Sequence, residues 1–282
     1  MIRIVGAAFA ALVFASGVAG AQTPLERGKY LVETIGACGN CHTPKGPDGR
    51  PIAAMAFAGG FVIKEPPFDA VAPNITPDRE TGIGAWTDDQ IVRAIREGIR
   101  PDGSVIGPPM AIELYRGLSD NDVRAIVAYL RSLKPIANKV AKSVYRMPLP
   151  PNYGPPVGRV ADVPRDDKVK YGAYLAGPVG HCIECHTPLD KGHRDYSRTG
   201  QGGHPFAGPW GVAVSRNITP HKDDGLGAWS DAEIARAIRQ GVRKDGARLN
   251  PPMDYASYAG ISDADMAAII AYLRALPPLK TP

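Results

Sequence analysis

The sequence Cys38-Gly39-Asn40-Cys41-His42 returns 144 positions later as Cys182-Ile183-Glu184-Cys185-His186. Together these two stretches contain all four cysteines of the 282-residue chain. Two cysteines separated by two residues and followed by histidine are the attachment signature of a c-type haem. The thiols bond the porphyrin, and the histidine ligates the iron. We therefore predict two covalently bound haems, held by the thiols of Cys38, Cys41, Cys182 and Cys185, with His42 and His186 as proximal iron ligands.

The first residues predict export. Met1-Ile2-Arg3 give a positively charged start, an apolar run extends from Ile4 to about Val18, and Ala19-Gly20-Ala21 supplies a small-residue cleavage site. We predict a signal peptide over residues 1–21 and a periplasmic protein, because haem c is attached outside the bacterial cytoplasm. The apolar run is too short for a membrane helix, and no later stretch is apolar enough to span a bilayer.

Further motifs recur at a constant spacing. Asn74-Ile75-Thr76-Pro77 returns as Asn217-Ile218-Thr219-Pro220, and Pro108-Pro109-Met110 returns as Pro251-Pro252-Met253, both 143 positions later. A repeat of this length predicts two tandem domains. We place them at residues 22–145 and 166–282. Residues 146–165 between them are rich in proline and predict an extended, fairly stiff linker.

Helix signals dominate both halves. Capping boxes open a helix at Thr87 and at Ser230, and these helices are expected to end at Gly98 and Gly241. A last helix with a regular apolar face follows in each half. No convincing alternating strand pattern is present. We therefore predict an all-α fold, in which each domain has a few helices and long loops around its haem.

The second axial ligand of each iron can also be assigned. An iron that only transfers electrons takes two strong ligands, usually histidine with methionine or with a second histidine. His42 is the only histidine of the first half. Met55 is too close to it in sequence, and Met147 falls in the linker, so Met110 remains. The repeat then predicts Met253 in the second half.

Some assignments stay open at this point. Four histidines of the second half could compete with Met253, namely His181, His193, His204 and His221. A carbonyl at or next to Pro44 and Pro188 is expected to accept the imidazole N–H of the proximal ligand. Ring packing predicts haem-edge contacts for Trp86 and Trp229. Propionate contacts or ordinary turn chemistry would equally explain Asn74, Thr76, Asn217 and Thr219.

The motifs resemble a known family. Asn-Ile-Thr-Pro-Asp at 74–78, Thr-Gly-Ile-Gly-Ala-Trp-Thr-Asp-Asp-Gln at 81–90 and Pro-Pro-Met at 108–110 resemble the multihaem cytochrome c subunits of bacterial membrane-associated alcohol, sugar-acid, aldehyde and related dehydrogenases. The resemblance covers both repeats. It implies class I cytochrome c domains with His/Met ligation that carry electrons from a catalytic subunit to the respiratory chain. Those subunits often bear three haems and a C-terminal membrane-binding segment, whereas this sequence has two motifs and no such segment.

The function that follows is electron transfer, with no substrate bound by this chain. The expected partners are a dehydrogenase catalytic subunit and a downstream cytochrome, oxidase or quinone system. The alternative is a dihaem peroxidase or another haem enzyme with one open iron site. Such an enzyme needs an open iron position, and the matched Pro-Pro-Met loops argue against one. Zinc or dithiol chemistry is disfavoured by the trailing histidines and the export signal. The formal charge of +5 forms no basic run, so nucleic-acid binding has no support.

Overall fold

The computed structural model describes residues 22–208 and 211–282; the predicted signal peptide, residues 1–21, lies outside the described residues. None of the helices in this part of the chain is long and apolar enough to cross a membrane. The two halves contain the same succession of helices. These are α1 (Pro24–Tyr30), α2 (Gly39–His42), α3 (Asp88–Glu97), α4 (Ile112–Tyr115) and α5 (Asp120–Ser132), then α6 (Lys168–Tyr174), α7 (Cys182–Cys185), α8 (Asp231–Gln240), α9 (Tyr255–Tyr258) and α10 (Asp263–Ala275).

Each half is built on the crossing of its first and last helices, α1 with α5 and α6 with α10. A β-carbon at Gly28 would lie 1.9 Å from the carbonyl oxygen of Ala125, and one at Gly172 would lie 1.9 Å from that of Ala268. The helix backbones are therefore in direct contact, which the absence of a side chain at glycine permits. Around both crossings the buried apolar side chains form one hydrophobic core that runs through the two halves.

The predicted helix boundaries are confirmed. Thr87 and Ser230 make complete capping boxes at the starts of α3 and α8. These helices end at Gly98 and Gly241, which have φ values of +67° and +65°. Glycine adopts this left-handed conformation without a steric penalty, so it ends a helix cleanly. Local capping chemistry thus fixes the helix that precedes each predicted methionine loop.

The all-α prediction needs a correction, because the described residues also contain seven short strands. They are two to four residues long, too short for an alternating pattern to stand out in the sequence. The strands are β1 (Val62–Glu65), β2 (Phe68–Val71), β3 (Val144–Tyr145), β4 (Leu189–Asp190), β5 (His193–Arg194), β6 (Pro205–Gly208) and β7 (Gly211–Val214). Antiparallel pairing joins β1 to β2, β2 to β3, β4 to β5 and β6 to β7.

The two halves meet through the same elements in both directions. A π-helical turn, Leu31–Ile35, follows α1, and an equivalent turn, Leu175–Val179, follows α6. Helix α4 packs against the turn of the second half, and α9 packs against the turn of the first. The halves are thus related by an approximate two-fold axis, as in a symmetric dimer.

A tyrosine from the first half joins this interface. The Tyr30 hydroxyl donates to Oδ2 of Asp265 at 2.8 Å and accepts from the backbone N–H of Ser262 at 3.0 Å. Ser262 is the residue that caps α10, and its side chain accepts from the Asp265 N–H. Helix α1 of one half is therefore bonded to the start of the last helix of the other half.

The reciprocal contact carries one extra charge. The Tyr174 hydroxyl donates to Oδ2 of Asp122 at 2.7 Å and accepts from the Ser119 N–H at 3.2 Å. Asp122 also accepts two bonds from the Arg27 guanidinium, at 2.8 and 2.9 Å. Tyr171 stands at the position in the second half that corresponds to Arg27. The interface is therefore symmetric in its tyrosines and asymmetric in its ion pair.

The connecting segment, residues 134–167, lies along the first half. Its strand β3 pairs with β2. The Tyr145 hydroxyl donates to the Pro108 carbonyl oxygen at 3.0 Å, and the Tyr153 hydroxyl donates to that of Ile106 at 2.8 Å. The segment that contains the predicted stiff linker is thus attached to the first half at several points along its length.

Candidate haem-attachment sites

The two Cys-x-x-Cys-His motifs form matched helical turns. Each motif follows one of the π-helical turns, and α2 or α7 spans most of it. The residue before the first cysteine, Ala37 or His181, has a positive φ of 45° or 41°. This reversal breaks the preceding helix and lets the motif start a new turn. None of the four cysteines forms a disulfide and all are half-buried, so each pair is placed to bond the edge of a porphyrin.

The histidine rings are oriented by backbone carbonyls. Nδ1 of His42 lies 2.9 Å from the carbonyl oxygen of Pro73, and Nδ1 of His186 lies 2.6 Å from that of Arg216. With Nδ1 as the donor, Nε2 of each ring is left to bind iron. Burial lowers the pKa of both histidines, which favours the neutral ring that a metal requires. The acceptor is thus a residue about 30 positions downstream in each half, and the expectation of a carbonyl at or next to Pro44 and Pro188 was wrong.

Two glycines bring these carbonyls to the rings. The Gly59 N–H donates to the His42 carbonyl oxygen at 2.8 Å, and the Gly202 N–H donates to that of His186 at 2.8 Å. Gly59 has a φ of +74°, and a β-carbon there would lie 2.5 Å from the carbonyl carbon of Pro73. A side chain at this position would push away the segment that orients the ring. The same segment continues directly into the Asn-Ile-Thr-Pro motif.

Asparagine and threonine of that motif bond within the chain. Oδ1 of Asn74 accepts from the backbone N–H and the hydroxyl of Thr76, at 2.9 and 2.7 Å. Its Nδ2 donates to Thr81 and to the Ile136 carbonyl oxygen, which follows α5. The second half repeats the pattern around Asn217 and Thr219, with Leu279 in place of Ile136. This geometry favours the turn role over propionate contacts, because both amide N–H groups of Asn74 already have protein partners.

The tryptophans occupy matched places at the start of α3 and α8. The indoles of Trp86 and Trp229 are half-buried and pack against the core. Their backbone carbonyls accept from the guanidinium groups of Arg131 and Arg274 on the last helices. These bonds fix the turn that carries each indole. A contact with the haem edge stays a prediction.

The two predicted methionine ligands follow matched cis peptide bonds, Pro108-Pro109 and Pro251-Pro252. Met110 and Met253 are half-buried and lie just before α4 and α9, the helices that meet the opposite half. The Ile112 N–H donates to the Met110 carbonyl oxygen at 2.8 Å, so the loop turns directly into α4. Both thioethers are thus carried by loops anchored at the interface. Their ligation of iron stays a prediction.

The competing histidines of the second half have other surroundings. His181 packs edge-on against Tyr115 of the first half, with ring centroids 5.8 Å apart. His204 packs against Phe206. Nδ1 of His221 accepts from the Asp224 N–H at 3.1 Å. Asp78 holds this position in the first half and accepts from the Thr81 N–H in the same way. His193 lies exposed in β5. These places favour Met253 over the four histidines as the distal ligand.

The interface also brings the two motifs together. Besides the contact of Tyr115 with His181, the two π-helical turns that lead into the motifs contact each other. Tyr115 and Tyr258 lie at equivalent positions in α4 and α9, the helices that pack against the π-helical turn of the opposite half. Sequence reasoning missed both, although their matched spacing in the two repeats was a usable signal.

These features define a protein with one covalent haem-attachment site in each half. The paired cysteines, the histidines with Nε2 left to bind iron and the half-buried motifs all suit a porphyrin bound through its edge. The cytochrome c family profile matches residues 25–134 and 170–277. The chain belongs to the cytochrome c family, and it carries two covalently bound c-type haems.

Curated relatives extend this assignment. The chain is 31% identical over 269 residues to the cytochrome c subunit of a quinone alcohol dehydrogenase from Gluconobacter oxydans, covering 90% of this chain and 55% of that protein. It is 32% identical over 267 residues to the fructose dehydrogenase cytochrome subunit of Gluconobacter japonicus, covering 90% and 52%. A dihaem c-type cytochrome from Cereibacter sphaeroides is 31% identical over 263 residues, covering 87% and 83%. The chain thus spans about half the length of the first two relatives.

Proposed function

We propose that the protein is a periplasmic electron carrier, which takes electrons from a dehydrogenase and delivers them towards the respiratory chain through two His/Met-ligated c-type haems. When bound, each haem supplies reversible one-electron exchange at its iron. The main support is the approximate two-fold interface, where Tyr115 of one half contacts His181 in the motif region of the other. An arrangement that holds two redox centres close together suits transfer between them.

The chain's own residues position and insulate these centres. The carbonyls of Pro73 and Arg216 hold the proximal rings and increase their donor strength. Met110 and Met253, on their proline loops, are the proposed distal ligands and would close each iron to other molecules. A closed iron exchanges electrons without binding substrate. The organic chemistry then belongs to the partner's active site.

The relatives of this chain indicate the class of the electron donor. Two relatives of this chain are named as cytochrome subunits of an alcohol and a fructose dehydrogenase, and a third as the cytochrome c subunit of gluconate 2-dehydrogenase. A dehydrogenase that oxidises an alcohol, a sugar or a sugar acid is therefore the proposed partner. The predicted signal peptide and the covalent haems support a periplasmic location.

Absorption spectra of the purified oxidised and reduced protein, followed by carbon monoxide, test this function. Two low-spin haems, a far-red methionine-to-iron band in the oxidised state and no response to carbon monoxide are expected. A high-spin signal, or ready binding of carbon monoxide to the wild type, would contradict closed sites and favour catalysis at one iron.

Methionine variants make the test specific to each half. Met110→Ala and Met253→Ala should each remove about half of the far-red band and open one iron to carbon monoxide, since each removes a strong axial ligand. Met55→Ala is the control and should leave the spectrum unchanged. A full band in Met253→Ala would contradict the assignment and return the histidines of the second half to consideration.

A further inference from the structure

The two haem-attachment motifs carry different charges at matched positions. Asn40, between the cysteines of the first motif, corresponds to Glu184 in the second, 144 positions later. Lys45, three residues after His42, corresponds in the same way to Leu189. The first motif therefore has a positive group close to its cysteines, and the second motif has a negative one.

The Lys45 ammonium is held against the first motif. Its Nζ donates to Oδ1 of Asn40 at 3.2 Å and lies 4.2 Å from the centre of the Phe61 ring. An amide oxygen and the face of an aromatic ring both attract a cation. The half-buried ammonium is thus kept beside the residues that separate Cys38 from Cys41.

The Glu184 carboxylate occupies the matched place in the second half. Its side chain is 24% exposed, and Oε2 lies 3.7 Å from Nδ1 of His181. Burial lowers the pKa of His181, which favours the neutral ring. The imidazole therefore does not cancel the negative charge of the carboxylate, and Leu189 brings no cation to it.

Further charges near the motifs offset one another. Each helix that crosses the interface brings one carboxylate to the opposite half, Glu113 in α4 and Asp254 at the start of α9. Burial raises the pKa of Glu184 to about 7; the Arg194 guanidinium opposes this rise, and the carboxylates of Glu113 and Glu65 add to it. Arg194 and Glu65 thus act on the second motif with opposite signs. The charge difference left between the halves is that of Lys45 and Glu184.

The proximal ligands differ in a direction that adds to this effect. His42 is buried, at 8% exposure, whereas His186 is only half-buried. The ferric iron–porphyrin unit carries a net positive charge and the ferrous unit none, so burial favours the ferrous form. The bond from Nδ1 to a carbonyl oxygen is also shorter at His186, 2.6 Å against 2.9 Å, which increases its donor strength and favours ferric iron.

We propose that Lys45 and Glu184 set the order of the two reduction potentials, with the higher potential in the first half. A positive group near a haem favours its ferrous form, and a negative group favours its ferric form. When the second iron is ferrous and the first is ferric, one electron passes from the second to the first, with no proton and no other reactant. Net transfer within the chain therefore runs from the second half to the first. The inference rests on the proposed function, because it takes both haems as one-electron carriers.

Redox titration of the holoprotein at pH 8.5, followed by absorption, tests this order. The Glu184 carboxyl is ionised at this pH. Wild type should be reduced in two resolved steps. Lys45→Met should lower the higher potential, and Glu184→Gln should raise the lower one, so each brings the steps closer together. Each variant should change the equilibrium constant between the two haems by at least about threefold, which is about 30 mV for one electron.

Two more variants complete the test, and the pyridine haemochrome spectrum checks that each protein carries two haems. Leu189→Lys gives the second half the cation of the first and should also bring the steps closer together. Arg50→Gln is the control, because it removes a positive charge from the loop of Lys45. The Arg50 side chain is 87% exposed, so water and salt screen its charge and both potentials should be unchanged.

The opposite order of potentials gives the opposite result. Steps that move apart in Lys45→Met or Glu184→Gln would overturn the proposal, and so would unchanged potentials or a single step in wild type. These outcomes leave electron transfer by the protein intact. Ready binding of carbon monoxide to a wild-type iron would instead overturn the proposed function, and the inference with it.

Discussion

Two aspartates occupy matched positions at the interface between the halves but have different partners. Asp122 receives the Tyr174 hydroxyl from the opposite half and the Arg27 guanidinium from its own. Among the described residues, the Asp265 carboxylate accepts a hydrogen bond from the Tyr30 hydroxyl of the opposite half and from no other side chain. The tyrosine contact is therefore common to both directions of the interface. Arg27 adds a buried ion pair with Asp122 on one side of the interface.

The ion pair changes the electrostatics of that side. Burial by itself would raise the pKa of Asp122, but the bonds from Arg27, with its positive charge, and from Tyr174 hold that pKa below its usual value. Removing one member of a buried pair leaves the other charged and unpartnered, which is strongly destabilising. The two sides should therefore respond differently to equivalent substitutions.

The largest loss of stability is expected at the α1–α5 and α6–α10 crossings, which are alike in the two halves. Gly28→Val and Gly172→Val should each lower the free energy of unfolding by on the order of 5 kcal/mol, because the new side chain overlaps a carbonyl oxygen on the crossing helix. Guanidinium denaturation of the holoprotein measures the loss. Gly158→Val should leave the free energy of unfolding nearly unchanged, because an added β-carbon there would have no atom within 4 Å other than those of its chain neighbours. A large difference between the two crossings would contradict their equivalence.

Substitution of the two aspartates should lower stability by different amounts on the two sides of the interface. Asp122→Ala is expected to lower the free energy of unfolding by about 3–5 kcal/mol, since it leaves Arg27 buried without its partner. Asp265→Ala should cost about 1–3 kcal/mol, because it leaves a tyrosine hydroxyl without its acceptor. Denaturation midpoints of the two variants give the comparison directly. Equal losses would mean that the ion pair adds nothing to that side.

The pH dependence sharpens the same contrast. In wild type, the depressed pKa of Asp122 contributes stability that is full above about pH 4 and is lost as the pH falls through that lower value. In Arg27→Met the pKa of Asp122 rises, because its carboxylate has lost its positive partner. On acidification this carboxylate is therefore neutralised at a higher pH than in wild type. The stability gap between wild type and variant should therefore be largest at neutral pH and shrink on acidification.

Thermal midpoints between pH 3 and 7 measure this gap. In an Asp122→Asn background, which has no carboxyl to titrate, the effect of Arg27→Met should not vary with pH. A gap of constant size in the wild-type background would contradict the assigned ion pair.

The smallest effect is expected for the tyrosines. Tyr30→Phe and Tyr174→Phe should each lower the free energy of unfolding by about 1–2 kcal/mol, because each removes one hydrogen bond to an aspartate and leaves a serine N–H without its acceptor. Their losses should be similar, since both hydroxyls make the same two bonds. Urea denaturation monitors both variants, and a loss in one alone would contradict the approximate two-fold symmetry.

Local signals in the sequence predicted much of the fold. The capping residues Thr87 and Ser230 and the terminal glycines Gly98 and Gly241 act within a few residues, so sequence alone locates α3 and α8. The family profile confirms the tandem repeat and the attachment of two haems. These features depend on short, fixed spacings, which a single sequence displays.

Contacts between distant residues were not predictable in the same way. The carbonyl groups that orient the proximal histidines belong to Pro73 and Arg216, and a backbone acceptor leaves no signature in residue type. The strands are too short to show alternation. Tyr30 and Tyr174 could have been noticed, since each precedes the first cysteine of its motif by eight residues. Their partners, however, lie in the opposite half.

The reciprocal interface has a consequence for the history of the chain. Each tyrosine reaches the same carboxylate and the same serine N–H in the other repeat, which is the rule for a homodimer formed by one surface with itself. A single-haem ancestor with this surface would pair with its own copy. Gene duplication and fusion would then preserve that dimer inside one polypeptide, and would free one copy to acquire features, such as Arg27, that a true homodimer must carry twice.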